Sequence, residues 1–266
     1  MNCNLVLRRE ATMNLATLEN YIKVMDFASD FHYAVNQESP WTPFTKEIRE
    51  CNIALVTTGG LHLKDDQPFE LVNDYSYREI PGDISLDQLM ITHEFYEHTE
   101  TDQDLNAIFP LDRLRELAAK GEIGKVNETH FSFMGFIPEW EPLLDSAREV
   151  ASKLKDQEVD LVILTPGSPF CNHSTGLIQR EIEAFGIPTI SLTVEREITA
   201  QVKPPRALYV GFPAGCPVGE PFDREKQLKV LREIFSELKA IKKPGTIRRT
   251  PFKWTRSCSA PQCKLP

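Results

Sequence analysis

The sequence predicts an α/β protein built on a three-layer, mostly parallel open sheet of the Rossmann-like type, with an N-terminal helix and an extended C-terminal tail. Two observations carry this prediction. Four short apolar runs, at 51–57, 159–164, 187–194 and 207–210, have the length and composition of buried strands. Amphipathic helical segments alternate with them through the second half of the chain, which is typical of parallel strands joined by helical crossovers.

The chain divides into three parts. Residues 1–50 form an N-terminal helical extension, in which 14–34 has the apolar period of an amphipathic helix. Residues 51–243 form the α/β domain. Residues 244–266 are basic, contain several prolines and show no apolar period, so we expect a flexible, extended tail.

Within the α/β domain, the first half has short elements separated by polar loops. The elements predicted there are a strand at 51–57, an irregular polar segment at 61–81, a short strand at 89–92, a helix at 110–120 and a short aromatic strand or loop at 131–136. The second half is regular and adds helices between its strands. These helices are predicted at 142–155, 177–185 and 224–241.

Composition narrows the classes of function. The net charge of −9 and pI of about 5.3 argue against nucleic acid or an anionic membrane as partner. No apolar run is as long as a membrane span, and the first ten residues lack the apolar core of a signal peptide, so we expect a cytoplasmic protein. In a reducing compartment, scattered cysteines are expected to be thiols. They are Cys3, Cys51, Cys171, Cys216, Cys258 and Cys263.

The loop at 165–176 is the first candidate site. It follows a buried strand and precedes a helix, and ligands bind at this edge of open α/β sheets. Ser168 and Cys171 have the spacing of a Cys-x-x-Cys redox pair, with a hydroxyl in place of the first thiol. The helix N-terminus is expected to lower the pKa of Cys171. The alternative is a turn with helix-capping residues and an inert buried cysteine.

Two other strand ends carry further candidates. Thr57, Thr58 and Gly59 follow the first strand, and their backbone N–H groups are suited to an anion, although a tight turn explains them equally well. Cys216 lies in the Gly/Pro-rich loop after the strand at 207–210. We therefore predict one pocket at the carboxyl ends of the strands. Its expected members are Thr57, Thr58, Gly59, Ser168, Cys171, His173 and Cys216.

The polar loop after the strand at 89–92 is expected to approach the same pocket. Its candidates are His93, Glu94, His98 and Asp102, as acid–base or substrate-anchoring groups. Their spacing matches no metal signature, so we predict no metal site. A solvated loop with capping residues is the alternative.

Three stretches together resemble the selenoprotein B subunits of the glycine, sarcosine, betaine and D-proline reductases, with the D-proline reductase branch most similar. They read VTTGGLH at 56–62, FPLDRL at 109–114 within 102–124, and the segment 160–176 followed by GIPT at 186–189. The resemblance covers residues 52–221 and does not include the N-terminal helix or the tail.

The resemblance implies reductive cleavage of a carbon–nitrogen bond in an amino-acid substrate that is activated by a carbonyl cofactor on another subunit. In that family a selenocysteine attacks the substrate, and a nearby cysteine closes a selenide–sulfide bond that a dithiol donor reduces. The selenocysteine aligns with Ser168 and its partner with Cys171. Serine cannot form such a bridge, and it is a poor nucleophile without an adjacent base, for which His173 or the loop of His93 is the candidate source.

The leading hypothesis is therefore an oxidoreductase-like protein that uses Cys171 as its reactive thiol, with Cys216 as the candidate second thiol. The alternative is a small-molecule binding protein or non-catalytic complex subunit that kept the pocket and lost the redox centre. Expected partners are an amino acid or derivative, a partner subunit or a dithiol electron donor, and further copies in an oligomer. We expect no cofactor on this chain.

Overall fold

The computed structural model describes residues 31–256 and places eight strands in one sheet. Two more strands form a separate antiparallel pair. The strands are β1 (Asn52–Thr58), β2 (Leu61–Leu63), β3 (Tyr77–Pro81), β4 (Leu89–Ile91), β5 (Lys125–Val126), β6 (Thr129–Phe133), β7 (Leu161–Pro166), β8 (Thr189–Thr193), β9 (Arg206–Tyr209) and β10 (Thr246–Arg249).

The large sheet has the order β10-β9-β8-β7-β1-β6-β3, with β5 also paired to β1. Every pairing in it is parallel except that of the edge strand β3 with β6. β2 and β4 make the small pair. The chain therefore builds the sheet outward from β1 in both directions, which creates a topological switch point between β1 and β7.

Helices cover both faces of the sheet. They are α1 (Leu111–Ala119), α2 (Leu143–Asp156), α3 (Cys171–Ala184), α4 (Arg196–Val202) and α5 (Arg224–Ala240). Alternate residues of β1 enter different cores: Ile53 and Leu55 pack with α1 and α5, whereas Ala54 and Val56 pack with α2 and α3. This arrangement confirms the predicted three-layer, mostly parallel α/β class.

The structure corrects two predictions about elements and adds one helix. The segment 61–81, predicted to be irregular, contains β2 and β3. The tail predicted to be flexible from residue 244 instead adds β10 to the sheet, because Thr246–Arg249 pairs with β9. The short strand predicted at 89–92 is confirmed as β4, which pairs with β2 outside the large sheet. α4 has no counterpart among the predicted elements.

The predicted N-terminal helix at 14–34 lies outside the described residues except for its last four positions, which are not helical. The predicted residues 51–57, 159–164, 187–194 and 207–210 all lie in or beside strands of the large sheet. The ends of these elements shift by one or two residues.

A buried ion pair fixes α3 against the sheet. Arg206 of β9 and Glu183 of α3 are 2.7 Å apart, and both side chains are fully buried. Glu183 also accepts hydrogen bonds from the N–H and hydroxyl of Thr189. The guanidinium of Arg206 lies 3.7 Å from the ring centre of Trp41. These contacts fix the carboxyl half of α3, so its first turn is held at the end of β7.

Candidate functional site

The sulfur of Cys171 lies at the topological switch point, at the start of α3. Both Cys171 and Ser168 are 0% exposed. The Ser168 hydroxyl donates to Cys171 Sγ at 2.9 Å, and Ser168 Oγ accepts the Cys171 N–H at 3.1 Å. Ser168 therefore satisfies a free N–H of the helix and also directs its own proton onto the sulfur.

His93 reaches the same sulfur from the loop after β4. Its Nε2 lies 3.2 Å from Cys171 Sγ. Behind it, His98 Nε2 lies 3.1 Å from the carbonyl oxygen of His93, and His98 Nδ1 lies 2.8 Å from Asp102. This loop thus contacts Cys171 through His93, with His98 and Asp102 one and two steps further out. Glu94 is exposed.

Gly135 makes room for the sulfur, and the sequence analysis missed it. Its φ is +90°. A Cβ at this position would lie 2.8 Å from Cys171 Sγ and 2.5 Å from the carbonyl oxygen of Thr58. The Thr58 hydroxyl is 2.7 Å from that of Thr175 on α3. A glycine just after a buried strand was the available signal, since such glycines mark a close approach.

Tyr96 was also missed, and it packs between the two cysteine loops. Its hydroxyl donates to the carbonyl of Gly59 at 2.8 Å. A Cβ on Gly167 or on Gly215 would lie 2.8 or 2.7 Å from the Tyr96 ring. The backbones of these glycines meet directly, with the Gly215 N–H donating to the Gly167 carbonyl at 2.7 Å. The sequence signal for this packing role of Tyr96 was an aromatic residue in a polar loop.

Cys216 joins the site only through its loop. Its Sγ is 3.4 Å from the Thr101 hydroxyl, and it is buried. Burial raises the pKa of Cys216 to about 11, and the Thr101 hydrogen bond opposes that change. Burial raises the pKa of Tyr96 well above its usual value, and negative charge on Cys171, Asp102 or Cys216 raises it further. Tyr96 therefore lies within electrostatic range of both thiols.

His173 faces away from the sulfur. Its Nε2 accepts the Ala34 N–H at 2.9 Å, and its ring meets Phe31, Tyr33 and Trp140 edge-on. Burial lowers its pKa to about 4. Within residues 31–256, no hydrogen bond joins His173 to Ser168, so the geometry does not supply the base that the sequence analysis considered.

The groups after β1 that were expected to bind an anion make hydrogen bonds within the protein. The Thr57 hydroxyl donates to the Thr165 carbonyl at 3.2 Å, and the Gly59 N–H donates to Thr57 Oγ1 at 3.2 Å. The neighbouring Gly60 N–H donates to the Phe133 carbonyl. These bonds fit the tight-turn explanation of the segment.

The pKa of Cys171 differs from the expectation. Burial raises it to about 11, and the hydrogen bonds from Ser168 oppose that rise. The helix N-terminus was expected to lower it. A helix end contributes only about 0.3–1 kcal/mol at an exposed site, whereas burial of a charged group shifts a pKa by up to 3–5 units. The prediction failed because the sequence did not reveal that the sulfur is fully buried.

Two surface cavities lie elsewhere. One, of about 370 Å³, is lined by His32, Asn73 and Trp140 among others, and a second, of about 460 Å³, by Gln37, Lys203 and Ile247 among others. Among the described residues, no three His, Cys, Asp or Glu side chains are arranged to hold a metal ion. Likewise, no helix within 31–256 is long and apolar enough to cross a bilayer.

The fold and the site define an α/β protein with a buried thiol at the switch point of its sheet. The family described as glycine/sarcosine/betaine reductase selenoprotein B (GRDB) matches residues 6–167. This chain belongs to that family. The match begins well before residue 52, so the N-terminal region shares the likeness that the sequence analysis confined to 52–221. It ends at Gly167, and the alignment of Ser168 with selenocysteine stays a prediction.

Individual relatives agree with the family. The D-proline reductase subunit gamma of Acetoanaerobium sticklandii is 34% identical over 232 residues, which are 87% of this chain and 96% of that protein. The glycine reductase complex component B subunit gamma of Carboxydothermus hydrogenoformans is 28% identical over 216 residues, 78% of this chain and 49% of the relative. The sarcosine reductase complex component B subunit beta of Peptoclostridium acidaminophilum is 26% identical over 243 residues, 88% of this chain and 55% of the relative.

The chain thus spans nearly all of the D-proline reductase subunit but only about half of the glycine and sarcosine reductase subunits. No solved structure matches the chain.

Proposed function

We propose that this chain is a subunit of an amino-acid reductase and that Cys171 is its reactive thiol. The observation that carries the proposal is the hydrogen bond of 2.9 Å from the Ser168 hydroxyl to Cys171 Sγ, beside His93, at the switch point of the sheet. The names of the relatives favour a substrate with an amine nitrogen, such as D-proline, glycine or sarcosine.

Ser168 is a poor candidate for the nucleophile. Its proton is directed at the sulfur, and its oxygen already accepts the Cys171 N–H. A serine nucleophile needs a base that accepts its proton. Here Ser168 donates to the thiol and accepts the first N–H of α3, so Cys171 is the group left to carry the chemistry.

The proposed reaction has two covalent steps. The Cys171 thiolate attacks the carbon that bears the substrate nitrogen, a carbon–sulfur bond forms as the carbon–nitrogen bond breaks, and the amine leaves with the thiol proton. A second thiol then attacks Sγ, a sulfur–sulfur bond forms as the carbon–sulfur bond breaks, and the carbon takes the proton of the second thiol. The substrate gains two electrons, and a dithiol donor reduces the resulting disulfide.

Two sources are open for the second thiol. Cys216 is the internal one, because its loop is hydrogen-bonded to the Ser168 loop through Gly215 and Gly167. The ring of Tyr96 packs against both glycines, so a movement of either loop would involve Tyr96. The dithiol donor itself is the external source. A partner subunit that presents the substrate is part of the proposal, because the relatives are named as parts of complexes.

The test compares single substitutions in the complex assembled with its partner subunits. Dithiothreitol serves as the electron donor and D-proline as the substrate. We expect Cys171→Ala to lower the rate of reduction at least about 1,000-fold, as removal of a nucleophile does. Cys51→Ala is the matched control, since Cys51 is equally buried but lies before β1. Loss of activity in Ser168→Ala, with activity kept in Cys171→Ala, would make serine the working residue.

The second candidate function is a binding or non-catalytic subunit that kept the pocket. Complete burial of Cys171 and its pKa of about 11 favour it, because a neutral, shielded thiol is unreactive. Titration of the native protein with a thiol reagent at pH 7 distinguishes the two. A reductase is expected to expose a fast-reacting Cys171 when substrate and partner are added, whereas a binding subunit keeps it slow throughout.

A further inference from the structure

The imidazole of His93 has one hydrogen-bonding role fixed by the backbone. The Phe95 N–H donates to His93 Nδ1 at 3.0 Å. A nitrogen that accepts a hydrogen bond cannot itself carry the proton, so the neutral ring is protonated on Nε2. That nitrogen is the one that lies 3.2 Å from Cys171 Sγ.

The ring stays neutral because of its surroundings. Burial, and then the nearby His98, lower the pKa of His93 to about 3, while a hydrogen bond with the Met134 backbone works in the opposite direction. The other titratable groups around the sulfur are Tyr96, which is buried against Gly59, and Asp102, which pairs with His98.

We propose that His93 is a fixed hydrogen-bond donor to the sulfur of Cys171, and that it stabilises the thiolate without removing the thiol proton. The inference rests on the proposed function only in that the thiolate is taken as the nucleophile of the reaction. A base needs a free lone pair toward the thiol, and both ring nitrogens of His93 are already assigned.

Donors converge on Sγ from two sides. The Ser168 hydroxyl approaches from the start of α3, and His93 Nε2–H approaches from the loop after β4. Gly135 leaves open the space that a side chain would fill beside Sγ. Donors pre-arranged around an atom that becomes negative stabilise the charge more in a dry site than in water. In the proposed reaction the thiol proton leaves with the amine, so His93 neither gains nor loses a proton.

The tautomer is measured directly in the unsubstituted protein by ¹⁵N NMR of the histidine rings. We expect His93 to be neutral between pH 8 and pH 5, with the proton on Nε2. A proton on Nδ1, or an imidazolium at pH 7, would overturn the inference. This measurement needs no activity and no variant that has to fold.

The effect on the sulfur is measured from the ¹³C shift of the Cys171 Cβ during a pH titration. His93→Ala removes the donor, and we expect the thiolate fraction to fall about tenfold at a given pH, which is a pKa rise of about one unit. His93→Gln replaces the ring with an amide that donates but does not titrate, so it should restore most of the thiolate. His130→Gln is the matched control, because His130 is a buried histidine that accepts the Leu55 N–H and makes no described hydrogen bond to Cys171.

The outcomes separate the two proposals. Equal loss of thiolate in His93→Gln and His93→Ala would show that donation is not the role. If Cys171→Ala abolishes reduction while His93 carries its proton on Nδ1, the inference about His93 fails alone. If the tautomer and the thiolate shift are as expected but Cys171→Ala keeps full activity, the proposed function fails alone.

Discussion

Cys51 and Cys171 are two buried cysteines with opposite surroundings. Burial raises the pKa of each to about 11. Cys51 lies just before β1, and its thiol donates to the carbonyl of Glu47 at 3.3 Å. Cys171 lies after β7, and its sulfur accepts from Ser168 at 2.9 Å. One sulfur is held as a donor and the other as an acceptor.

The remaining influences on the two pKa values widen this contrast. After burial, Asp160 raises the pKa of Cys51 further, and Lys46 only partly opposes it. At Cys171, the hydrogen bonds from Ser168, Gly167 and Thr58 all lower the pKa against burial. Burial alone therefore does not separate a structural cysteine from a candidate reactive one, whereas the polarity of the hydrogen bonds at the sulfur does. Each of the following experiments alters one part of that difference.

Acid should have the largest effect, because three buried imidazoles are neutral in the folded protein. Burial lowers the pKa of His93 and His130 to about 3 and that of His173 to about 4. Each folded-state pKa lies below that of an unfolded histidine, about 6.5. The unfolded chain therefore binds more protons between pH 6.5 and 4, and the free energy of unfolding falls as the pH falls.

Glu195 opposes this trend, because burial raises its pKa to about 7 and the folded state binds its proton. Near pH 5 the unfolded chain binds about one more proton at each of the three histidines, and the folded chain binds about one more at Glu195. The net difference is about two protons, so the free energy of unfolding changes by about 3 kcal/mol per pH unit. Urea unfolding between pH 8 and pH 5 measures the slope. His173→Gln should make it shallower by about 1.4 kcal/mol per pH unit. A stability independent of pH over this range would contradict the neutral state of these rings.

Gly135→Ala tests whether the Cys171 sulfur tolerates a closer neighbour. The added methyl would meet Sγ at 2.8 Å and the Thr58 carbonyl at 2.5 Å, at a φ of +90°. Overpacking costs about 1–3 kcal/mol and a left-handed non-glycine residue about 1–2 kcal/mol, so we expect a loss of about 2–5 kcal/mol in the free energy of unfolding measured in urea. Gly121→Ala is the control, because Gly121 has a φ of +69° and no atom within 4 Å of the added carbon. Equal losses of stability in the two variants would mean that the positive φ, and not the contact with Sγ, causes the destabilisation.

The sequence predicted the strands around the site better than the contacts at the sulfur. Apolar runs such as 159–164 identify buried strands directly, and the predicted rim of strand ends brings Thr58, Ser168 and Cys171 together. β3 and β10 were missed because each is a partly exposed edge strand without a continuous apolar run. No local pattern distinguishes such a segment from a loop.

The contacts of single side chains followed no sequence pattern. His93 and His173 are each close to Cys171 in the fold or in the chain, yet only His93 touches its sulfur. The direction of each ring depends on one backbone N–H, which comes from the neighbouring Phe95 for His93 and from the distant Ala34 for His173. Burial of the sulfur likewise depends on loops such as that of Tyr96, which are far away in sequence.

Tyr96→Phe tests whether the packing of Tyr96 between the two cysteine loops limits access to Cys171 and Cys216. The change leaves the buried Gly59 carbonyl without its donor, which costs about 1–2 kcal/mol. Local opening should become about tenfold more frequent, since 1.4 kcal/mol is a factor of ten. Mass spectrometry of alkylated peptides should show faster labelling of Cys171 and Cys216 but not of Cys51. Tyr77→Phe, on the edge strand β3, is the control, and uniform acceleration of all three cysteines would indicate global destabilisation instead.

Ser168→Cys should change stability least, because it closes a very short loop and removes little chain entropy. Its interest lies in the bond it forms. The Ser168 oxygen and the Cys171 sulfur are 2.9 Å apart, and a sulfur in place of that oxygen would lie within reach of the 2.05 Å disulfide length. We expect mild oxidation to produce a disulfide between positions 168 and 171 that dithiothreitol reduces, detected by mass spectrometry of the oxidised peptide.

The matched control is Ser174→Cys, which places a thiol at the same spacing on the other side of Cys171. The Ser174 hydroxyl donates to the Gly135 carbonyl at 2.7 Å and is buried like Ser168, but it makes no contact with Cys171 Sγ among the described hydrogen bonds. We therefore expect no disulfide, or a far slower one, in this variant. If Ser168→Cys forms no disulfide even under strong oxidant, the side chains at 168 and 171 do not face each other. Ser168 would then not donate to Cys171, and the contrast with Cys51 would lose its basis.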